Sequence, residues 1–428
     1  MFCQLDRLRR CLSPRIRHAL DELPETLDRT YERTLLDIDD ENWAYAHRLF
    51  RCIAVARRPL RVEELAEFLA FKFETGGNLT FDGNWRPENP RDMLLSTCSS
   101  LVAVVNVDGL PVMQFAHFSV KEYLTSTRIA EGPLSRYYVP LEPANHFVAQ
   151  ACLSILLQLD KHVTKPNIEE SPLARYAGQY WAEHAEFGDV AYPLEDMIKR
   201  VFNPSNHHFA IWVWIYDTIL CQAMNSEGPS RPIRSPLHYA AQHGFHRVVE
   251  WLITTCSQDV NVSGHVSIWT PLHLASWNEH PKVTRLLLEH GVDVDPKTGA
   301  SETPLRLLSA HGGNLETAKL LLEHGADPSV RSSSGRDSLY MALENGHLGL
   351  AQLLLDHGAD PNTRDVNGYT LLHVSSQIGD LKVVQGLLEL NVDVNPRDNR
   401  GRTPYRVALY GGHERVVQLL LQHGAERT

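Results

Sequence analysis

The chain has 428 residues, 43% hydrophobic and 22% charged, with a formal net charge of −11 at pH 7. That length exceeds what one hydrophobic core organises, and the acidic balance argues against a phosphate backbone as partner: residues 1–230 carry 23 basic against 31 acidic side chains (−8), residues 231–428 carry 18 against 21 (−3). Seven scattered cysteines without a CxxC pair, no apolar run fit to span a bilayer and no secretory leader predict a cytoplasmic chain with no membrane partner.

Residues 1–40 read as a helical segment, with helical apolar spacing over Leu20–Leu36 interrupted at Pro24. Residues 41–135 follow another grammar. Apolar spacing predicts helices over Glu41–Ala56, Val62–Phe71 and Asp92–Cys98. Leu101–Val107 then alternates as a strand, Asp108-Gly109 supplies a two-residue turn, and Pro111–Phe115 returns. Ser119 and Glu122 have the spacing of a capping box for a helix over Val120–Thr125. Three helices followed by a β-hairpin describe a winged helix. A DNA-reading version needs Arg, Lys, Asn or Gln on the helix before the wing, whereas Asp92–Cys98 is apolar with Arg91 the only cation beside it. Nucleic acid is therefore not an expected partner.

The run CQLDRLRRC (3–11), the string LPETLDRTYERTLL (23–36) and FAHFSVKEYL (115–124) resemble the region after the nucleotide-binding core of NACHT-type signalling NTPases. More narrowly, they look like fungal NOD-like receptors (STAND class) with C-terminal ankyrin repeats. PLARYAGQYWAEHA (172–185) is similar to the helical connector of that family, placed here at residues 140–225. The resemblance implies that His117, in the FxHxS motif, faces the β-phosphate of bound ADP when a NACHT core is present. No GxxxxGK[ST] loop occurs in the sequence, so the residues themselves point to a core histidine orienting the hairpin, and no cofactor is expected for this chain. The likeness also implies that the chain is the C-terminal part of a longer receptor, with oligomerisation a property of the full-length form.

Ser226–Ile233 (SEGPSRPI) reads as a linker. Beyond it one motif recurs at Ser235 (SPLH), Thr270 (TPLH), Thr303 (TPLR), Asp337 (DSLY), Thr370 (TLLH) and Thr403 (TPYR), in steps of 35, 33, 34, 33 and 33 residues. Thr before Pro supplies a helix N-cap with Pro at the first helical position. A second helix carries an apolar run such as Leu286-Leu287-Leu288, and Gly291, Gly325 and Gly358 mark its exit. These units resemble ankyrin repeats over residues 232–428. The expected fold class is all-α with a small β-hairpin wing: a winged-helix remnant, a helical connector and an ankyrin-repeat solenoid.

In an ankyrin stack, the resemblance places the residue before each motif, and those four and five after it, on a concave binding surface. Here they include Trp269, Trp277, Asn278, Glu302, Arg336, Glu344, Tyr369, Gln377, Arg402 and Tyr410. The aromatic members are the expected anchors. His238, His273 and His373 recur where such repeats tie one turn to the next unit. His290, His324, His357 and His423 precede the glycine exit, near a helix C-terminus. Repetition at the period of the fold makes both sets structural and no metal site is expected. With no GxSxG or HExxH motif, the chain is not expected to be an enzyme. The expected function is a protein–protein interaction and ligand-sensing module of a NOD-like signalling receptor. Two alternatives remain: the sensor half of an ATP-dependent signalling NTPase, and a substrate adaptor for ubiquitin ligation.

Overall fold

The computed structural model describes residues 27–73, 79–82, 89–98, 101–220, 229, 232, 234–264, 268–390 and 392–427. The segment CQLDRLRRC, residues 20–26 of the first expected helix and most of the linker at 226–233 lie outside the described residues. The chain divides into two compact units, residues 1–230 and 231–428.

In the first unit residues 27–36 are helical, followed by helices Trp43–Val55, Val62–Leu69 and Pro90–Cys98. The second of these stops short of Phe71, which instead begins a strand, Phe71–Phe73, paired with Leu79–Phe81. The Phe71 and Phe81 rings meet across that pair at 5.2 Å, the contact that stabilises so short a ladder. The expected hairpin forms from Val102–Val107 and Leu110–Phe115, with Asp108 (φ 51°) and Gly109 (φ 80°) in the left-handed conformations a tight two-residue turn requires. Leu60–Arg61 adds a third strand against Val112 and Met113.

The Ser119–Glu122 capping box does not form. The helix is Phe118–Leu124 and its N-cap is His117, whose Nδ1 accepts the Ser119 N–H at 3.3 Å. An imidazole nitrogen that accepts a backbone N–H carries no proton, so the Ser119 hydroxyl donates to it (2.6 Å) and accepts from Tyr31 Oη (2.7 Å). The serine is thus committed to neighbours outside the capping geometry.

Two carboxylates are buried in the helix Val62–Leu69. Glu64 is held by both terminal nitrogens of Arg58 (2.6 and 2.7 Å) and by the Arg61 N–H (2.8 Å). Glu67 accepts the Leu173 N–H at 2.8 Å, satisfying one of the open amides at the start of helix Pro172–Ala185. That helix packs on Leu141–Leu156. Between them His184 Nδ1 donates to Asn145 Oδ1 (2.7 Å) while Nε2 accepts from the Tyr176 hydroxyl (2.8 Å). Burial pushes the His184 pKa down to about 3, so the chain Tyr176–His184–Asn145 is a neutral internal tie. Trp181, Phe202 and Trp212 close this core, the Trp212 indole donating to Gly178 O at 3.0 Å.

The second unit alternates inner and outer helices, six of each among the described residues, from Pro236–Gln242 and His246–Thr254 in the first repeat to Pro404–Tyr410 and Glu414–Gln422 in the sixth. Inner helices stack on inner helices and outer on outer. Side-chain oxygens of Thr270, Thr303, Asp337 and Thr403 accept the amide three residues on, as N-caps do. Leu287 and Leu288 are buried, and Gly291 (φ 74°), Gly325 (φ 91°) and Gly358 (φ 86°) turn the chain out of the outer helices. Among the described residues no helix is long and apolar enough to cross a membrane.

Candidate interaction face of the repeats

Each finger is a turn closed on itself. The N–H groups of Thr298, Ser332, Asp365 and Asp398 donate to the carbonyls of Glu302, Arg336, Tyr369 and Arg402 at 2.9–3.0 Å. The Asp365 and Asp398 carboxylates also accept the amides two and four residues on, at 2.8–2.9 Å. A second grip comes from the preceding repeat. The Nε2 of His238, His273 and His373 donates to the carbonyls of Trp269 (2.9 Å), Glu302 (3.1 Å) and Arg402 (2.9 Å). In repeat three Arg306 Nε does the same for Arg336 (2.9 Å).

The tautomer of these histidines follows from their other nitrogen. The backbone N–H of Ser235, Thr270 and Thr370 donates to Nδ1 at 3.1–3.2 Å, so the ring proton sits on Nε2. Burial pushes the pKa of His238 and His273 down to about 4 and lowers that of His373. The second set, His290, His324, His357 and His423, donates from Nδ1 to the carbonyl four residues earlier at 2.8–3.0 Å, closing the C-terminal turn of the outer helix. Both sets are therefore structural. Among the described residues no group of His, Cys, Asp and Glu could hold a metal ion.

A third set escaped the sequence reading. His280, His347 and His413 donate back to the carbonyls of Gln242, His311 and Gln377 at 2.9–3.2 Å. Their rings lie against Gly244, Gly313 and Gly379, where a Cβ would overlap the imidazole. Even-numbered repeats carry the histidine and odd-numbered ones the glycine. The signal was present as a His ten residues after Thr270, Asp337 and Thr403.

Of the ten expected surface residues, Arg336, Glu344, Tyr369, Gln377 and Arg402 line one cleft of about 680 Å³ with Asp365, Asp398 and Arg400. Arg336 Nη1 meets both Glu344 oxygens at 2.8 and 2.9 Å, and its guanidinium lies over the Tyr340 ring at 4.9 Å. Arg402 donates to Asp398 Oδ2 (2.8 Å) and to Tyr369 Oη (2.6 Å), 5.4 Å above the Tyr369 ring. Burial pushes the Asp398 carboxyl up, but the hydrogen bonds from Arg402 and Arg400 outweigh it and leave the pKa below the ordinary value. Tyr410, 74% exposed, lies at the end of the last inner helix, next to an exposed Leu409.

The remaining expected residues lie elsewhere. Trp269 and Trp277 meet edge to face at 5.7 Å, and Trp277 stacks on His311 at 4.2 Å. Glu302 pairs with Arg306. Asn278 turns back to cap its own helix, Nδ2 donating to Leu274 O at 2.9 Å. In the first unit His117 caps a helix, as described above.

Comparison with known proteins agrees with this geometry. The family model described as Ankyrin repeats (3 copies) matches residues 216–298, 295–365 and 363–428. The chain is similar to "Azaphilone pigments biosynthesis cluster protein L" of Monascus ruber, 29% identical over 298 residues, covering 64% of this chain and 61% of that protein. That share exceeds the half of the chain taken up by the repeats, so the likeness extends into residues 1–215. It is also similar to "Ankyrin repeat protein nuc-2" of Neurospora crassa, 29% identical over 93 residues, covering 22% of this chain and 9% of that protein. The chain thus spans about three fifths of the first relative and under a tenth of the second. With the family match, the repeating helix pairs and the finger turns in register, the C-terminal half of this chain is an array of ankyrin repeats, a module that suggests protein–protein interaction.

Proposed function

We propose that the chain binds a protein segment along the fingers and inner helices of its repeats, with the cleft over repeats four to six as the principal contact, and that it acts by binding rather than by catalysis. One observation carries this reading. The fingers are fixed before any partner arrives, each carbonyl held within its own turn, most also from the preceding repeat, and the Arg336–Glu344 and Arg402–Asp398–Tyr369 groupings already hold their geometry. A surface that needs no ordering loses less conformational entropy on binding.

We further propose that this module is the recognition part of a NOD-like signalling receptor in the cytoplasm. The FAHFSVKEYL and PLARYAGQYWAEHA segments support that reading by resemblance, and the order helix, strand, helix, short strand pair, helix, hairpin over residues 43–115 suits a winged helix with a strand pair inserted before its third helix. The test begins with a partner isolated on the full chain and an affinity measured for each variant. Tyr369→Ala and Arg402→Ala are each expected to weaken binding by about 1–2 kcal/mol or more. Unchanged affinity in both, with the fold intact by circular dichroism, would rule out the cleft as the principal contact.

A further inference from the structure

Repeat two places unfavourable side chains at two left-handed backbone positions, a β-branched one in its finger and a glutamate in its inner-to-outer turn. The penultimate finger residue is left-handed in repeats two to six: Gly335 (φ 78°), Gly368 (φ 77°) and Gly401 (φ 73°) in repeats four to six, Ser301 (φ 59°) in repeat three, but the β-branched Ile268 (φ 55°) in repeat two. The turn from inner to outer helix uses Gly244, Gly313, Gly346, Gly379 and Gly412, with φ between 71° and 81°, but Glu279 (φ 59°) in repeat two. A side chain in this region raises the free energy of the fold where glycine would not, most of all when β-branched. Stability alone would favour glycine at both places.

The two exceptions flank the aromatic pair. Ile268, 47% exposed, adjoins Trp269, and Glu279 follows Trp277 by two residues. The Glu279 side chain is half-buried and lies on Gly312, where a Cβ would overlap Oε1; that oxygen is buried and has no hydrogen-bond donor among the described residues. Gly312 follows His311, whose ring stacks on Trp277. A half-buried carboxylate, an imidazole–indole stack and a second indole at 67° to the first therefore follow one another along the turn.

We propose that repeats two and three form a docking site for a basic side chain, lysine or arginine, of a protein partner. The indole faces attract the cation, the half-buried Glu279 supplies the counter-charge, and Ile268 covers the apolar stem of the incoming side chain. Charge complementarity sets the occupant, since an acidic or purely apolar group would leave the carboxylate unpaired. This inference rests on the reading that the finger and inner-helix face binds protein.

The test uses the full chain against a displayed library of random peptides, taking those whose binding is lost in Trp277→Ala. These peptides are expected to share a Lys or Arg and to bind about tenfold more weakly to Glu279→Gln, which keeps the shape of the side chain. Glu279→Gly is expected to weaken them equally while raising Tm by about 2–4 °C, the two readouts moving in opposite senses. Trp277-dependent peptides without a shared basic residue, or indifferent to Glu279→Gln, overturn this site and leave the binding face standing. If recovered peptides depend on none of Trp277, Tyr369 and Arg402, the face itself is wrong and the proposal falls with it.

Discussion

Acidification should loosen the repeats well before the carboxylates titrate. His238 and His273 are buried, and Nδ1 of each accepts a backbone N–H, so a second ring proton would point at an existing donor. Their pKa falls from the ordinary 6.5 to about 4 on folding. A depressed histidine contributes stability that is complete above the unfolded pKa and is lost as pH falls from about 6.5 towards the folded value near 4. At pH 5 the difference amounts to about 2 kcal/mol for each ring and about 4 kcal/mol for the two. That is a large part of the roughly 5–15 kcal/mol by which folded proteins are stable. Asp295 and Asp337, whose carboxyls burial holds above the usual range, act in the opposite sense, and a variant that keeps both while changing the two histidines isolates the imidazoles. Urea unfolding at several pH values, on the wild type and on a His238→Gln, His273→Gln double variant, measures the effect. The variant should be weaker at pH 7.5, through lost bonds between repeats, yet lose about 4 kcal/mol less than the wild type on going to pH 5. Parallel pH dependences in the two proteins would refute the assignment of tautomer and burial.

Two glycines in equivalent turns should respond differently to alanine. Gly346→Ala meets only the φ of 77° and should cost about 1 kcal/mol, whereas Gly244→Ala also drives a Cβ to 2.7 Å from His280 Nδ1 and should cost about 1–3 kcal/mol more in urea unfolding. Calorimetry with ADP should show no micromolar binding, because His117 offers at most one hydrogen bond worth about 0.5–1.5 kcal/mol against the roughly 8 kcal/mol that such affinity needs.

The sequence made the repeats legible because their signals are local and sixfold. A Thr before Pro caps a helix wherever it occurs, and a Gly after an apolar run ends one, so no knowledge of neighbours is needed to read Thr270 or Gly325. Their period marked His238, His273 and His373 as structural, and the resemblance to ankyrin repeats implied their reach to the next finger. Where the deciding partner is distant, the reading failed. Ser119 looked like a cap until Tyr31, 88 residues earlier, and His117 claimed its hydroxyl. Phe71 looked helical until Phe81 offered a strand to pair with. The glycine and histidine of the alternate-repeat contacts are each ordinary in their own turn and acquire meaning only as a pair.

Regularity itself concealed the most informative residues. A periodic pattern is read by what the copies share, so Glu279 and Ile268 pass as tolerated variation in positions that are usually glycine. Their cost appears only when all equivalent φ values are compared, which shows a left-handed backbone retained while the residue that suits it is absent. A solenoid can hold such strain because its stability is close to a sum of repeat and neighbour terms. Repeat two is bounded on both sides: His238 holds its finger from repeat one, and His273 holds the finger of repeat three. The interfaces that lock the neighbouring fingers therefore also confine the strained turn. A half-buried carboxylate and an exposed isoleucine can then be kept beside two indoles without loosening the array.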